Sequence, residues 1–115
     1  MNVATRVSEQ DGCVVVSVDG ELDLGTAEQL QETLTTAIAE AAGPIVLDLT
    51  DLRFCDSAGL AVLVKAHNTL SDQGRRLVLA RPTTAVSRVL ELSGLDQVIA
   101  TAPSPDEARA IATRP

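Results

Sequence analysis

The sequence predicts an α/β domain: an N-terminal β-hairpin, then alternating strands and helices in a mixed, mostly parallel sheet packed against helices. Three observations carry that prediction. A polar, glycine-bearing break separates two short strand-like runs at the start of the chain. Strands then alternate with amphipathic helices three times, and the hydrophobic residues, 45% of the chain, are almost all Ala, Val, Leu and Ile. At 115 residues the chain is expected to be one domain, residues 1–115 with a core from about 3 to 112, large enough to fold without disulfide or metal staples.

Taken in order, Val3 to Ser8 and Cys13 to Val18 read as the hairpin strands, with Glu9-Gln10-Asp11-Gly12 as the turn. Asp19-Gly20-Glu21-Leu22-Asp23 reads as a charged loop. Thr26 with Gln29 three residues on has capping-box spacing for a helix that repeats Leu30, Leu34, Ala37, Ile38 and Ala41 and stops at Gly43-Pro44. Ile45-Val46-Leu47-Asp48-Leu49 is short and β-branched between helical segments, which predicts an interior strand. Thr50 to Arg53 then connects to a corner at Phe54. A helix over Ala58 to Gln73 is expected to present Leu60, Leu63, Val64, His67 and Leu70 on one face and to end at Gly74.

Leu77 to Ala80 is the next strand, ended by Arg81-Pro82. Thr83 or Thr84 caps a helix carrying Val86, Val89 and Leu90, which Ser93-Gly94-Leu95 closes into a last short strand at Val98-Ile99-Ala100. Ser104-Pro105-Asp106-Glu107 combines a cap, a proline at the first helical position and a glutamate at the third, and starts a terminal helix.

Composition excludes several functions. Net charge is −7, Lys65 is the single lysine, and the arginines are scattered, so there is no electrostatic footprint for a phosphate backbone. Phe54 is the only aromatic residue, too few for a base-stacking platform, and direct nucleic-acid binding is not expected. Cys13 and Cys55 lie among apolar residues and read as small buried hydrophobes, and with His67 alone they cannot assemble an ordinary zinc site. No signal peptide or membrane span is expected, which points to a cytoplasmic protein without membrane contact.

The candidate site is the corner Phe54-Cys55-Asp56-Ser57-Ala58-Gly59-Leu60, where Ser57 is placed to cap the following helix and unpaired backbone N–H groups could meet an anion. An enzyme is not expected there. Asp56-Ser57-Ala58-Gly59 lacks the glycine two residues before serine that a nucleophile elbow uses. His67 would lie roughly 15 Å along the helix from Ser57, too far for a dyad. No phosphate-binding Gly-rich loop with its lysine occurs, and no cofactor is implied. Asp48, Asp51 and Asp56 are the one carboxylate cluster; a Mg²⁺ site of the receiver-domain kind lacks its other parts, and capping and loop solvation are the expected roles.

Gly20-Glu21-Leu22-Asp23, Asp48-Leu49-Thr50-Asp51-Leu52, the Phe54 to Leu60 corner and Ser93-Gly94-Leu95 resemble, in order and spacing, the motifs of the bacterial STAS-domain anti-sigma factor antagonists. The resemblance covers about residues 3 to 112. It implies a single STAS domain and a cytoplasmic, partner-switching phosphoprotein of transcription regulation. In that family the unphosphorylated protein binds an anti-sigma factor that is also a serine kinase, freeing the sigma factor; phosphorylation reverses this, and a PP2C-type phosphatase restores binding. By resemblance Ser57 is the phosphoacceptor, and Asp23, Asp56, Ser57, Ala58 and Gly59 belong to the partner-binding surface. Ala58 stands where many members carry a second serine, and Gly59 is expected to leave bare backbone beside the hydroxyl for a kinase. The rival reading keeps the fold but makes the domain an unphosphorylated scaffold or a module of a sensory complex.

Overall fold

Apolar residues at alternate positions of one long strand separate two cores. In the computed structural model, which describes residues 2–115, β2 (Cys13–Leu22) directs Val14, Val16, Val18 and Leu22 to one side and Cys13 and Val15 to the other. The first side is covered by α1 (Ala27–Glu40), α2 (Ser57–Asp72) and α3 (Thr84–Ser93), and the second by α4 (Pro105–Ala112). The second core is built from small residues, with Ala80 and Ala102 of the sheet against Ala108 and Ala112. Three layers result, as the sequence pattern requires for a sheet buried on both faces.

The sheet runs β1 (Val3–Gln10), β2, β3 (Ile45–Asp48), β5 (Leu77–Ala80), β6 (Ala100–Ala102), with β4 (Leu52–Cys55) pairing the end of β2. Among the described residues only β1 and β2 are antiparallel; the other pairings are parallel. The hairpin turn is shorter than the sequence suggests. Asp11 and Gly12, at φ +53° and +80°, form a two-residue turn, and the strands run up to Gln10 and from Cys13. No described helix is long and apolar enough to cross a membrane.

Several sequence expectations need correction. Asp19 to Leu22 is strand, not loop: β2 pairs with β3 through Val14 to Ser17 and then with β4 through Gly20 to Leu22, with one register shift between Gly20 and Glu21 where β4 carries the extra residue Arg53. The connector before Phe54 is itself β4, so two strands follow one another without a helix between them. α2 buries Gly59, Val62, Leu63, Ala66 and Leu70, and Leu60, Val64 and His67 lie on its flank. The last strand falls two residues later than expected, because Leu95–Gln97 forms a 3₁₀ turn that delays it. Thr83, not Thr84, caps α3, accepting from Val86 N at 3.3 Å, and Ser104 caps α4, accepting from Glu107 N at 3.1 Å.

Gly20 permits the close approach of the N-terminal segment to β2. Its φ is +114°, and a Cβ there would lie 2.2 Å from the Asn2 carbonyl oxygen, which accepts a hydrogen bond from Glu21 N. Gly20→Ala is therefore expected to cost about 1–3 kcal/mol or more, from strain at this position. Urea unfolding, with a lowered midpoint and unchanged slope, checks this.

Candidate functional site

The corner is assembled where β2 and β4 end together. Leu22 pairs with Cys55, and Asp56 N donates to Leu22 O at 3.0 Å, so the turn after β2 and the start of α2 are held side by side. Only Asp56 stands between strand and helix. Its side chain, not that of Ser57, is the helix cap: Asp56 Oδ1 accepts from Ala58 N at 2.9 Å and Gly59 N at 3.3 Å. This corrects the sequence expectation that Ser57 caps the helix and that these N–H groups await an external anion. The carboxylate of Asp56 already occupies them.

Ser57 is thereby the first residue of α2. It is exposed, and no described residue hydrogen-bonds its hydroxyl. Ala58 beside it is half-buried and packs on the core. Gly59 is buried, and its lack of a side chain serves packing rather than access. A Cβ there would lie 2.7 Å from Cys55 Sγ and 2.9 Å from Leu22 Cβ, so glycine lets α2 descend onto the strand ends.

Asp23 shapes the neighbouring turn. Its Oδ1 accepts from Gly25 N at 2.9 Å, Thr26 N at 3.0 Å and the Thr26 hydroxyl at 3.2 Å. Thr26 makes no capping box with Gln29; its hydroxyl donates to Glu21 O at 2.7 Å and accepts from Asp23 N at 3.0 Å, which pins the turn to the end of β2. The turn pushes Leu24 out to 85% exposure, while Phe54 on β4 is 41% exposed, so two large apolar side chains stand on exposed ground in the segments flanking the corner. Sequence reasoning missed both as surface features, although Leu24 inside Asp23-Leu24-Gly25-Thr26 carried the signal of a turn apex.

The remaining chemistry-bearing residues do not converge on Ser57. Cys55 is 2% exposed, and burial, then the charge of Asp56, push its thiol up to about 11, which leaves it protonated and inert. Cys13 is buried in the opposite core, and burial raises its thiol as well. Asp48 accepts from Thr50 N and the Thr50 hydroxyl, and with Asp51, Asp19, Arg6 and Ser17 it lines a cavity of about 370 Å³ against β1 and β2, whereas Asp56 is committed to its cap. Among the described residues no group of three or more His, Cys, Asp or Glu is arranged to hold a metal ion.

Residues 4–108 match the family described as the STAS domain. Over 100 residues the chain is 31% identical to the anti-sigma-B factor antagonist of Listeria monocytogenes, covering 86% of this chain and 88% of that protein. A crystal structure of an anti-sigma factor antagonist from Mycobacterium paratuberculosis is 29% identical, with a TM-score of 0.90 over 98% of this chain and 96% of that one. The anti-sigma factor antagonist SpoIIAA in its unphosphorylated form is 28% identical, with a TM-score of 0.78 over 97% of this chain and 100% of its own. In its phosphorylated form, from Bacillus, the match is 27% identical with a TM-score of 0.71, over 94% and 98%.

Two substitutions separate the parts of the corner. Asp56→Ala is expected to cost about 0.5–2 kcal/mol through the lost cap, and Asp56→Asn much less because its carbonyl oxygen still accepts the two N–H bonds; chemical denaturation of both variants checks this. Gly59→Ala should overpack the contact with Cys55 and Leu22 and cost about 1–3 kcal/mol, read as a lowered melting temperature by calorimetry.

Proposed function

This chain belongs to the STAS domain family, and on that premise we propose that it is an anti-sigma factor antagonist switched by phosphorylation of Ser57. The observation that carries the reading is the Ser57 hydroxyl: exposed, unengaged by any described residue, and fixed by the first turn of a helix. A kinase needs such a hydroxyl to approach an ATP γ-phosphate without unfolding its substrate. That SpoIIAA has been seen both unphosphorylated and phosphorylated supports the reading, since both forms share this fold.

In this proposal the unmodified surface of the Asp23 turn, Asp56, Ser57 and Ala58 binds an anti-sigma factor with serine kinase activity and so releases a sigma factor. Gly59 contributes from below by setting the height of α2. A PP2C-type phosphatase reverses the modification. The setting is the bacterial cytoplasm, and the domain acts by binding and not as an enzyme.

The physics of the switch follows from the cap. Phosphorylation adds about −1.5 to −2 charges. With Ala58 N and Gly59 N already bonded to Asp56, the helix end has little left to offer a phosphate, and the neighbouring carboxylate repels it. The new charge projects outward into whatever covers Ser57. A partner that buried it unpaired would lose several kcal/mol, and about 4 kcal/mol is nearly a thousandfold in affinity.

Parent, Ser57→Ala and Ser57→Asp chains used as bait in lysate of the native cell test the proposal. The expected result is that parent and Ser57→Ala retain a kinase-like anti-sigma factor that Ser57→Asp loses, while Ser57→Asp melts within a few degrees of the parent. Retention of the same proteins by all three overturns the switch and leaves a scaffold; collapse of Ser57→Asp overturns a switch confined to the surface.

A further inference from the structure

β1 is a free edge of unusual regularity. Its eight residues pair with β2 without a register break, and the strand contains no proline, lysine or bulge, its charges being Arg6 and Glu9 alone. Because Gln10 and Cys13 flank a two-residue turn, they form a hydrogen-bonded pair, and so do the even-numbered residues of β1. The backbone N–H and C=O groups of Thr5, Val7 and Glu9 therefore point away from β2, and no described backbone group pairs with them.

The side chains of the same residues face α1. Thr5 and Thr33 hydroxyls lie 3.2 Å apart, and Thr5, Val7, Glu32, Thr33, Thr36, Ala37 and Glu40 line a groove of about 400 Å³. Its floor includes Val7, 51% exposed, and its rim carries the exposed carboxylates of Glu32 and Glu40. Eight residues of helix separate those two, about 12 Å along the axis. Four residues of strand span about 13 Å, and residues at every second position share a face.

We propose that this edge takes an extended segment of a partner protein with the pattern basic, any, apolar, any, basic. The segment adds a strand to β1, sets its apolar side chain on Val7 and aims its two cations at Glu32 and Glu40. A second copy of this chain is disfavoured as the occupant. Two-fold pairing of β1 with itself brings the Glu9, Glu32 and Glu40 carboxylates of both copies to one face with no cation on that face of β1, Arg6 being on the other. The edge is separate from the Ser57 corner, since Val7 pairs with Val16 while the corner follows Leu22, and a partner there would leave the corner free.

The test uses the whole chain and a fluorescein-labelled, end-blocked peptide, Thr-Lys-Thr-Val-Thr-Lys-Thr, followed by anisotropy at low salt, with Glu in place of both Lys as control. The expected result is saturable binding of the lysine peptide only, weakened roughly two- to fivefold for each of Glu32→Gln and Glu40→Gln. Val7→Pro removes one outward N–H without touching the β1–β2 ladder and should abolish binding while keeping the parent's circular dichroism. If that variant fails to fold, Val7→Lys, which sets a cation on the groove floor, should abolish it instead. Binding of the lysine peptide that survives the floor and rim substitutions, equal binding of the glutamate peptide, or no binding at millimolar peptide overturns the proposal. So does self-association by sedimentation that Val7→Pro or Val7→Lys removes, which would assign the edge to a second copy.

Discussion

The close approach of α2 to the ends of β2 and β4 at Gly59 governs the rest of the site. With no side chain at that position, the helix comes down until Cys55 and Leu22 fill the space beneath it, and a single residue suffices to join strand to helix. That residue, Asp56, is held by a backbone bond to Leu22 and turns its carboxylate onto the first helical N–H groups. The next side chain in line, Ser57, has nowhere to go but out. Exposure of the hydroxyl is thus a consequence of buried packing and of capping, two features that would hold their geometry if the hydroxyl were modified.

The sheet supports this from the other direction. β2 is long enough to serve two neighbours, β3 through Ser17 and β4 from Gly20 onward. Because β4 follows β3 after a short turn, its C-terminal end lies beside the end of β2, and the Asp23 turn and the α2 start become neighbours. Asp23 and Asp56 play the same physical part in the two segments: each spends one carboxylate oxygen on backbone N–H groups of its own turn. Their influence on a partner runs through the shapes they impose.

Much of this was legible in the sequence because it depends on periodicity and caps. The hairpin, the interior strands at Ile45 and Leu77, and the capped helix at Ser104 all follow from local pattern, and the structure agrees with them. The errors arose where a contact distant in sequence overrides local chemistry. Asp19 to Leu22 looks like a loop because it is charged and holds a glycine, yet β4 pairs with it from thirty residues on. Ser57 looks like a cap by type, but Asp56 reaches the N–H groups first. Gly59 reads as bare backbone left for a kinase until the side chains beneath it are known. Arg75 gave no signal at all, although it donates to Gly43 O and Ile38 O and ties the end of α1 to the approach to β5.

The two faces of the sheet are unequally fastened. α1, α2 and α3 set leucines, valines and an isoleucine into their core, whereas α4 contributes chiefly Ala108 and Ala112 over eight residues. At roughly 25 cal/mol per Å² of apolar surface, two methyl groups and a partly buried Ile111 anchor a helix less firmly than a row of fully buried branched side chains. The molecule therefore consists of cooperative units of different depth. The last helix is expected to open at a lower free energy than the rest, its amides exchanging with solvent before those of β3 and β5. Such opening uncovers Val15, Val46 and Val78 without disturbing the α2 corner, which lies on the opposite face.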